Sequence, residues 1–457
     1  MRSSRFILGA TLVACGPFVP AGPAAGQTIA AQYRATADRI IDAALADSGA
    51  YARLTELVDR FGSRFSGSRS LEQAIDWIID EMRRDGLQNV RGEDAMVPVW
   101  VRGAESAELI GPRRRELPML GLGGSIGTPP DGITAEVLVV SSFEDLRARA
   151  ADARGKIVLF DVPFTSYGRT VQYRGQGAVA AASAGAVASL IRSVTPYSQQ
   201  TPHTGAMRYA DTVRRIPHAA ITLEDAAMLH RMQNRGERIV VRLVMGADTL
   251  PDARSRNVMG ELLGRERPDE IVVLGGHIDS WDVGQGAMDD GGGVVAAWEA
   301  VRLLKRLGLT PRRTIRVVGW TNEENGLRGG NAYRDAHRTE PHVLGIESDG
   351  GVFKPDGFGF TGSDAAFAIV QLVGGLLDRI EAGTITRGGG GADIGPMMRE
   401  GMPGMGLSVD GRRYFWYHHT DADTIDKLDP EEMARCVAAM AVMAYVVADL
   451  PDALPRP

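Results

Sequence analysis

The chain has 457 residues, enough for roughly two or three domains, and its 44% hydrophobic and 24% charged residues exclude a disordered chain and a polytopic membrane protein. Fifty-one basic against 57 acidic residues give a net charge of −6 with no basic block, which argues against a nucleic-acid partner. Two cysteines, Cys15 and Cys436, exclude a disulfide scaffold and a cysteine-based zinc finger, and 56 glycines without a collagen-like period point to tight loops.

Arg2 and Arg5 precede the apolar run Phe6–Ala14, small residues follow at Ala21–Gly26, and no acidic residue comes before Asp38. This is the pattern of a secretory signal peptide over residues 1–26, cleaved to leave Gln27 first. Leu12-Val13-Ala14-Cys15 also fits a lipoprotein signal with a lipid anchor at Cys15. Both readings imply export, to the periplasm or beyond. A membrane span needs about 20 apolar residues, and Pro17, Pro20 and Pro23 interrupt this stretch. A mature chain keeps only Cys436 and forms no intrachain disulfide.

Residues 30–60 read as helical. A second helix is expected to start at Ser70, whose hydroxyl can cap the first turn while Gln73 reaches back. Ala74, Ile75, Trp77, Ile78 and Met82 form its apolar stripe, and Gly86 stops it. Residues 87–120 read as short, charged strand-like pieces. Between 121 and 247 the composition changes. Strand candidates Glu136–Val140, Lys156–Asp161, Val187–Ile191, Ala219–Thr222 and Arg238–Val244 alternate with Ala/Gly-rich helical stretches, bounded by Gly121–Pro130 and Gly246–Arg254. This predicts an inserted unit with its own core.

From about 255 strand and helix alternate: Ile271–Gly275, Gly291–Leu307, Thr314–Trp320, Leu327–His337, Val343–Glu347 and Asp364–Ile380. The alternation predicts an α/β fold, a mostly parallel sheet with helices on both faces. The last helix has Asp429 as N-cap and Pro430 at its first position. Its run Cys436–Ala448 is too short to span a bilayer and reads as a buried core helix.

In such sheets ligands bind beyond the carboxyl ends of the strands. Those places carry His277-Ile278-Asp279, then Asp289-Asp290-Gly291-Gly292-Gly293; Glu323-Glu324; Asp349; and, near the C-terminus, His418-His419-Thr420-Asp421-Ala422-Asp423-Thr424. Imidazole with carboxylate suits zinc, and a carboxylate can bridge two metals. Two His and three acids would fill a two-metal site, which holds its ions about 3.5–4 Å apart and activates a water for attack on a carbonyl. A lone strand-end Asp is more often a helix cap and Glu323-Glu324 alone could be a solvated turn. Four such segments at equivalent places in one sheet point to a site. Chemistry alone does not choose between His418 and His419, or between Glu323 and Glu324.

These motifs resemble the co-catalytic di-zinc exopeptidase family that includes bacterial leucyl aminopeptidases and glutamate carboxypeptidases. The run Gly275-Gly276-His277 through Gly293 resembles the glutamate carboxypeptidase branch nearly residue for residue, and the resemblance spans essentially the whole mature chain, with a protease-associated-like insert at 121–247. It implies that His277 and Asp349 bind one zinc, that Glu324 and His419 bind a second, and that Asp289 bridges the two. Asp279 would orient His277, and Glu323 would be the general base. It further implies a cis Asp289–Asp290 bond, a peptide substrate and a homodimer. The family's Ser-Asp-His before the last strand is replaced by Gly391-Ala392-Asp393-Ile394, which leaves the pocket near Asp393 open.

Gly123–Gly127 matches a nucleophile elbow in letters only, because Pro129-Pro130 forbid the helix that must follow it. It does not sit in a strand-loop-helix phosphate site either. His203 reads as an ordered loop histidine. Two rival readings remain at this stage, a single-zinc cyclase acting on N-terminal Gln and a non-catalytic receptor-like protein. Metal content separates them: two ions for the peptidase, one for the cyclase, none for the receptor.

Overall fold

The computed structural model of the protein describes residues 23–456, so the expected signal segment up to residue 22, with Cys15, lies outside the described residues. Eight strands form the larger sheet, in the order Gln88–Val101, Asp248–Leu262, Arg313–Trp320, Arg267–His277, His342–Glu347, Gly404–Val409, Pro355–Thr361, Thr384–Arg387. The four central strands run parallel. Antiparallel pairs flank them on both sides. The fold is therefore the expected α/β class, with a mixed sheet.

Every position of Arg313–Trp320 and of His342–Glu347 is buried, which is why neither strand shows a strict apolar–polar alternation. Successive residues still part to opposite faces. Val272, Leu274 and Val317 join the core under the helices Gly292–Arg306 and Pro430–Asp449. Ile271, Val273 and Val318 join the other core, beneath Tyr333 and Met397. Asp429 caps the last helix by accepting from the N–H groups of Glu431 at 2.8 Å and Glu432 at 3.1 Å, and Cys436–Ala448 is wholly buried. Among the described residues no helix is long and apolar enough to cross a membrane.

Two local expectations change. The helix Arg69–Arg84 is capped by Ser68, which accepts from Leu71 N at 3.2 Å, while Ser70 turns away to donate to Ser63 O at 2.6 Å. The charged stretch after Gly86 is opened by one 14-residue strand, Gln88–Val101. It forms because it pairs along nearly its whole length with Asp248–Leu262, a partner distant in sequence.

A second sheet of eight strands has the order Arg115–Leu117, Glu105–Gly111, Val240–Met245, Ile133–Val140, Ile157–Phe160, Ala188–Arg192, His218–Ile221, Met119–Gly121. It has its own cores on both faces, one under the helix Leu223–Asn234 and one under the helix Tyr167–Ser183. Its first strand starts at Glu105, upstream of the composition change at Gly121, because Glu105–Gly111 pairs with Val240–Met245.

Candidate active site

Three parallel strands end side by side. His277 is the last residue of Arg267–His277, Glu323 and Glu324 follow Trp320, and Asp349 follows Glu347. Asp289 lies just before the helix Gly292–Arg306, and its bond to Asp290 is cis. His419 follows the short helix Tyr414–Tyr417. Asp289 stands between two pairs. Its Oδ1 lies 3.3 Å from His277 Nε2, which is also 3.3 Å from Asp349 Oδ1. Its Oδ2 lies 3.2 Å from His419 Nε2, which is 3.0 Å from Glu324 Oε2. The five candidate ligands are thus together in space. His418 stacks on His419 at 3.5 Å between ring centroids and reaches to 3.5 Å from Asp289 Oδ2. It touches Asp289 but lacks the Glu324 contact that His419 makes.

The supports are as specific as the ligands. Asp290 accepts from His277 N at 3.0 Å and from Gly293 N at 3.1 Å, tying the strand end to the start of the helix. A Cβ at Gly276 would lie 2.2 Å from Asp290 Oδ2, and one at Gly293 2.0 Å from Ser348 O, so only glycine fits either place. Asp423 accepts from three successive main-chain N–H groups, those of Ala287, Met288 and Asp289, at 2.7 to 3.2 Å. Arg64, fully buried, donates to the carbonyls of Ile278, Gln285 and Gly286, which pins the loop between His277 and Asp289.

Asp279 does its work differently from expectation. His277 Nδ1 lies 2.8 Å from the main-chain oxygen of Asp279, whereas the nearest carboxylate oxygen is 3.8 Å away. That main-chain contact places the ring proton on Nδ1 and leaves Nε2 free for a cation. The Asp279 carboxylate accepts instead from Glu323 N at 3.1 Å and Glu324 N at 3.3 Å, so it shapes the turn that carries both glutamates.

Burial and crowding of like charge set the electrostatics. Burial, together with the Asp289 charge, pushes Glu324 up to about 7 against the pull of His419. Burial also raises Glu323 well above the ordinary carboxylate range. Burial opposes ionisation of Asp289, but the imidazoles of His277 and His419 beside it outweigh that and hold Asp289 well below that range. Asp289 Oδ2 and Glu324 Oε1 are buried without a hydrogen-bond partner. Buried carboxylate oxygens are rarely left so, and a cation between them would satisfy both.

These groups open into a cavity of about 340 Å³, near the small end for ligand sites, lined also by Tyr167, Arg174, Tyr414 and Phe415. Tyr167 and Arg174 come from the second sheet's helix Tyr167–Ser183. Arg174 Nη2 donates to Tyr167 Oη at 2.7 Å, and Arg174 Nε has no partner. Neither residue stands out in the sequence, nor does Arg64; all three sit in stretches without a motif. His203 is buried in the adjoining loop with both ring nitrogens unpartnered. Asp393 is fully buried, its carboxylate oxygens unpartnered and its N–H donating to Glu347 Oε1 at 3.3 Å.

The sequence profile of peptidase family M28 matches residues 257–444, a span that holds all five candidate ligands and Glu323. Carboxypeptidase Q of Mus musculus is 49% identical over 431 residues, 93% of this chain and 92% of that one. The chain belongs to peptidase family M28. It is a metallopeptidase. Carboxypeptidase Q of Homo sapiens is likewise 49% identical, over 90% of this chain and 88% of that one. The crystal structure of a peptidase M28 precursor from Shewanella amazonensis superimposes with a TM-score of 0.90 at 35% identity, covering 93% of this chain and 99% of that one. A zinc aminopeptidase from Bacillus subtilis shares the fold, with a TM-score of 0.66 at 20% identity over 89% of this chain and 98% of that one.

Proposed function

We propose that this M28 peptidase is an exported, di-zinc exopeptidase that hydrolyses dipeptides and short peptides with Glu323 as general base. One observation carries the reading: the two oxygens of the Asp289 carboxylate face two separate His/carboxylate pairs, His277 with Asp349 and His419 with Glu324. The all-nitrogen-and-oxygen donor set and the unpartnered Asp289 and Glu324 oxygens fit zinc. When bound, zinc supplies Lewis acidity that acidifies water and polarises a carbonyl.

The chain's own groups do the rest. Glu323 borders the same cavity as Asp289 and Asp349, a place that suits a group that takes a proton from the attacking water and gives it to the leaving amine. Among the described residues Arg174 is the single Arg or Lys side chain lining this acidic cavity. Its guanidinium complements a free C-terminal carboxylate, which favours a carboxypeptidase or dipeptidase action. The small volume excludes a folded substrate. Residues from about 105 to 247 are read as a protease-associated-like insert that supplies no zinc ligand. Export rests on the pattern of residues 1–26.

The test is direct. Chelator-treated protein should lose activity and regain it with zinc, with two ions counted per chain. Dipeptides with a free C-terminus should be cleaved and their C-terminal amides resisted. Full activity in metal-free protein defeats the zinc reading, and equal cleavage of amides defeats the Arg174 role.

A further inference from the structure

The Glu324–His419 pair is completed by a main-chain contact from the second sheet. His419 has left-handed backbone, φ +62°, which a residue with a Cβ keeps only where its surroundings enforce it. The loop residue Thr204 supplies that enforcement. Its N–H donates to His419 O at 3.0 Å, and its own carbonyl oxygen lies 3.3 Å from His419 Nδ1. Nε2 of His419 faces Glu324 and Asp289, so the ring can ligate a cation there only as the tautomer with its proton on Nδ1. Thr204 O is the acceptor within reach of that proton. Arg174 Nη1, 3.4 Å from the same nitrogen, has no lone pair to offer and also donates to Thr204 O at 3.4 Å.

Thr204 is itself locked. It is 1% exposed, its hydroxyl donates to Gly121 O at 2.8 Å, and that hydroxyl accepts from Arg102 Nη2 at 3.3 Å. Arg102 grips Asp282, in the loop after His277, with bonds of 2.8 and 2.5 Å. The next residue, Gly205, has φ +134°, and a Cβ there would lie 2.2 Å from Arg174 Nη1. The contrast with the other pair is informative. His277 takes its Nδ1 acceptor from Asp279, two residues along its own strand end. His419 borrows its acceptor from a loop that joins two strands of the second sheet.

We infer that Thr204 is a positioning residue for His419, so that a loop contributing no ligand sets the affinity of one of the two metal positions. The inference rests on the di-zinc reading above. Thr204→Val removes the hydroxyl that locks the loop while keeping its volume, and Gly205→Ala forces a methyl against Arg174 and displaces the adjoining carbonyl. Zinc-loaded full-length parent and variants are titrated with a chelator, retained zinc is counted by elemental analysis, and thermal unfolding of the metal-free proteins is recorded. The expected result is one zinc per chain lost about 10–100-fold more readily than in the parent. The other zinc should be held as in the parent, with metal-free unfolding unchanged. If Gly205→Ala does not fold, Thr204→Val decides alone. Parental retention of both ions overturns the inference and leaves the di-zinc reading standing, as does equal loss of both ions with a lowered metal-free unfolding temperature. A parent that binds fewer than two zinc ions overturns the di-zinc reading, and this inference with it.

Discussion

Two of the buried and half-buried charge clusters in the larger sheet's domain are built on opposite terms. In one, Arg316 pairs with Glu261 at 2.7 Å and Glu340 at 2.6 Å, His337 with Glu93 at 2.7 Å and Glu340 at 3.0 Å, and Tyr333 with Arg316 at 3.0 Å. None of its buried side-chain nitrogens or oxygens lacks a partner. The other cluster, at the strand ends, leaves oxygens of Asp289, Glu324 and Asp393 unpartnered. A closed network spends its charges on itself and serves the fold. An open one of the same residue types is arranged for something that comes from outside.

The sharpest test of this contrast is Glu323→Gln. It should keep both zinc ions and lose about 10²–10⁴-fold in turnover, read by steady-state kinetics beside elemental analysis. A variant that sheds a zinc would make Glu323 a ligand instead. Glu324→Gln should bind a single zinc per chain tightly and lose most activity. Retention of two tightly held ions would reverse the two assignments. Arg316→Met breaks the closed network and strands the buried Glu261 carboxylate. We expect a loss of about 3–5 kcal/mol in stability, measured by denaturant unfolding, with the zinc count unchanged in protein that remains folded. An altered zinc count there would erase the distinction between the clusters.

The smallest effect is a pH dependence confined to the closed network. Burial alone would raise Glu340, but hydrogen bonds from His337 and Arg316 outweigh it and bring Glu340 down to about 2. A carboxyl lowered in the folded state stabilises above its ordinary range and loses that contribution as pH falls through its folded value. His337 has the opposite sign. Burial would lower it, yet Glu340 and Glu93 raise it, so its contribution is full below its ordinary value and fades as pH climbs through the raised one. The unfolding-temperature gap between chelator-treated parent and Glu340→Gln should therefore narrow from about pH 6 to about pH 2. A constant gap would show that Glu340 acts by packing alone.

Much of this was legible beforehand, for identifiable reasons. The strands Ile271–Gly275, Thr314–Trp320 and Val343–Glu347 are buried on both faces, so apolar residues dominate them, with Arg316 the charged exception within a run, and the chemistry sits just past each end. Local signals failed where a distant partner decided the outcome. Gln88–Val101 is one strand because Asp248–Leu262 pairs with it. The second sheet reaches back to Glu105 because Val240–Met245 pairs there. The choice of Ser68 over Ser70 as a helix cap turned on which hydroxyl Ser63 O captured.

The amino-acid sequence by itself determined the α/β class and the strand-end segments that hold Asp289 and the four residues gathered around it, while the preference for His419 over His418 and for Glu324 over Glu323 came from the family resemblance. Periodicity and strand-end position are properties of neighbours along the chain, and they survive without coordinates. Only the tertiary structure decided which atoms face which. It put the main chain of Asp279, rather than its carboxylate, behind His277. It set Arg64 beneath the loop that carries Asp289. It brought Arg174, from a helix on the second sheet, and Thr204, from one of that sheet's loops, against His419. Apart from the Asp279 contact these join residues more than 200 positions apart, and in all but the Arg174–His419 contact a main-chain carbonyl takes part. A carbonyl is common to every residue, so no sequence pattern distinguishes the ones that work.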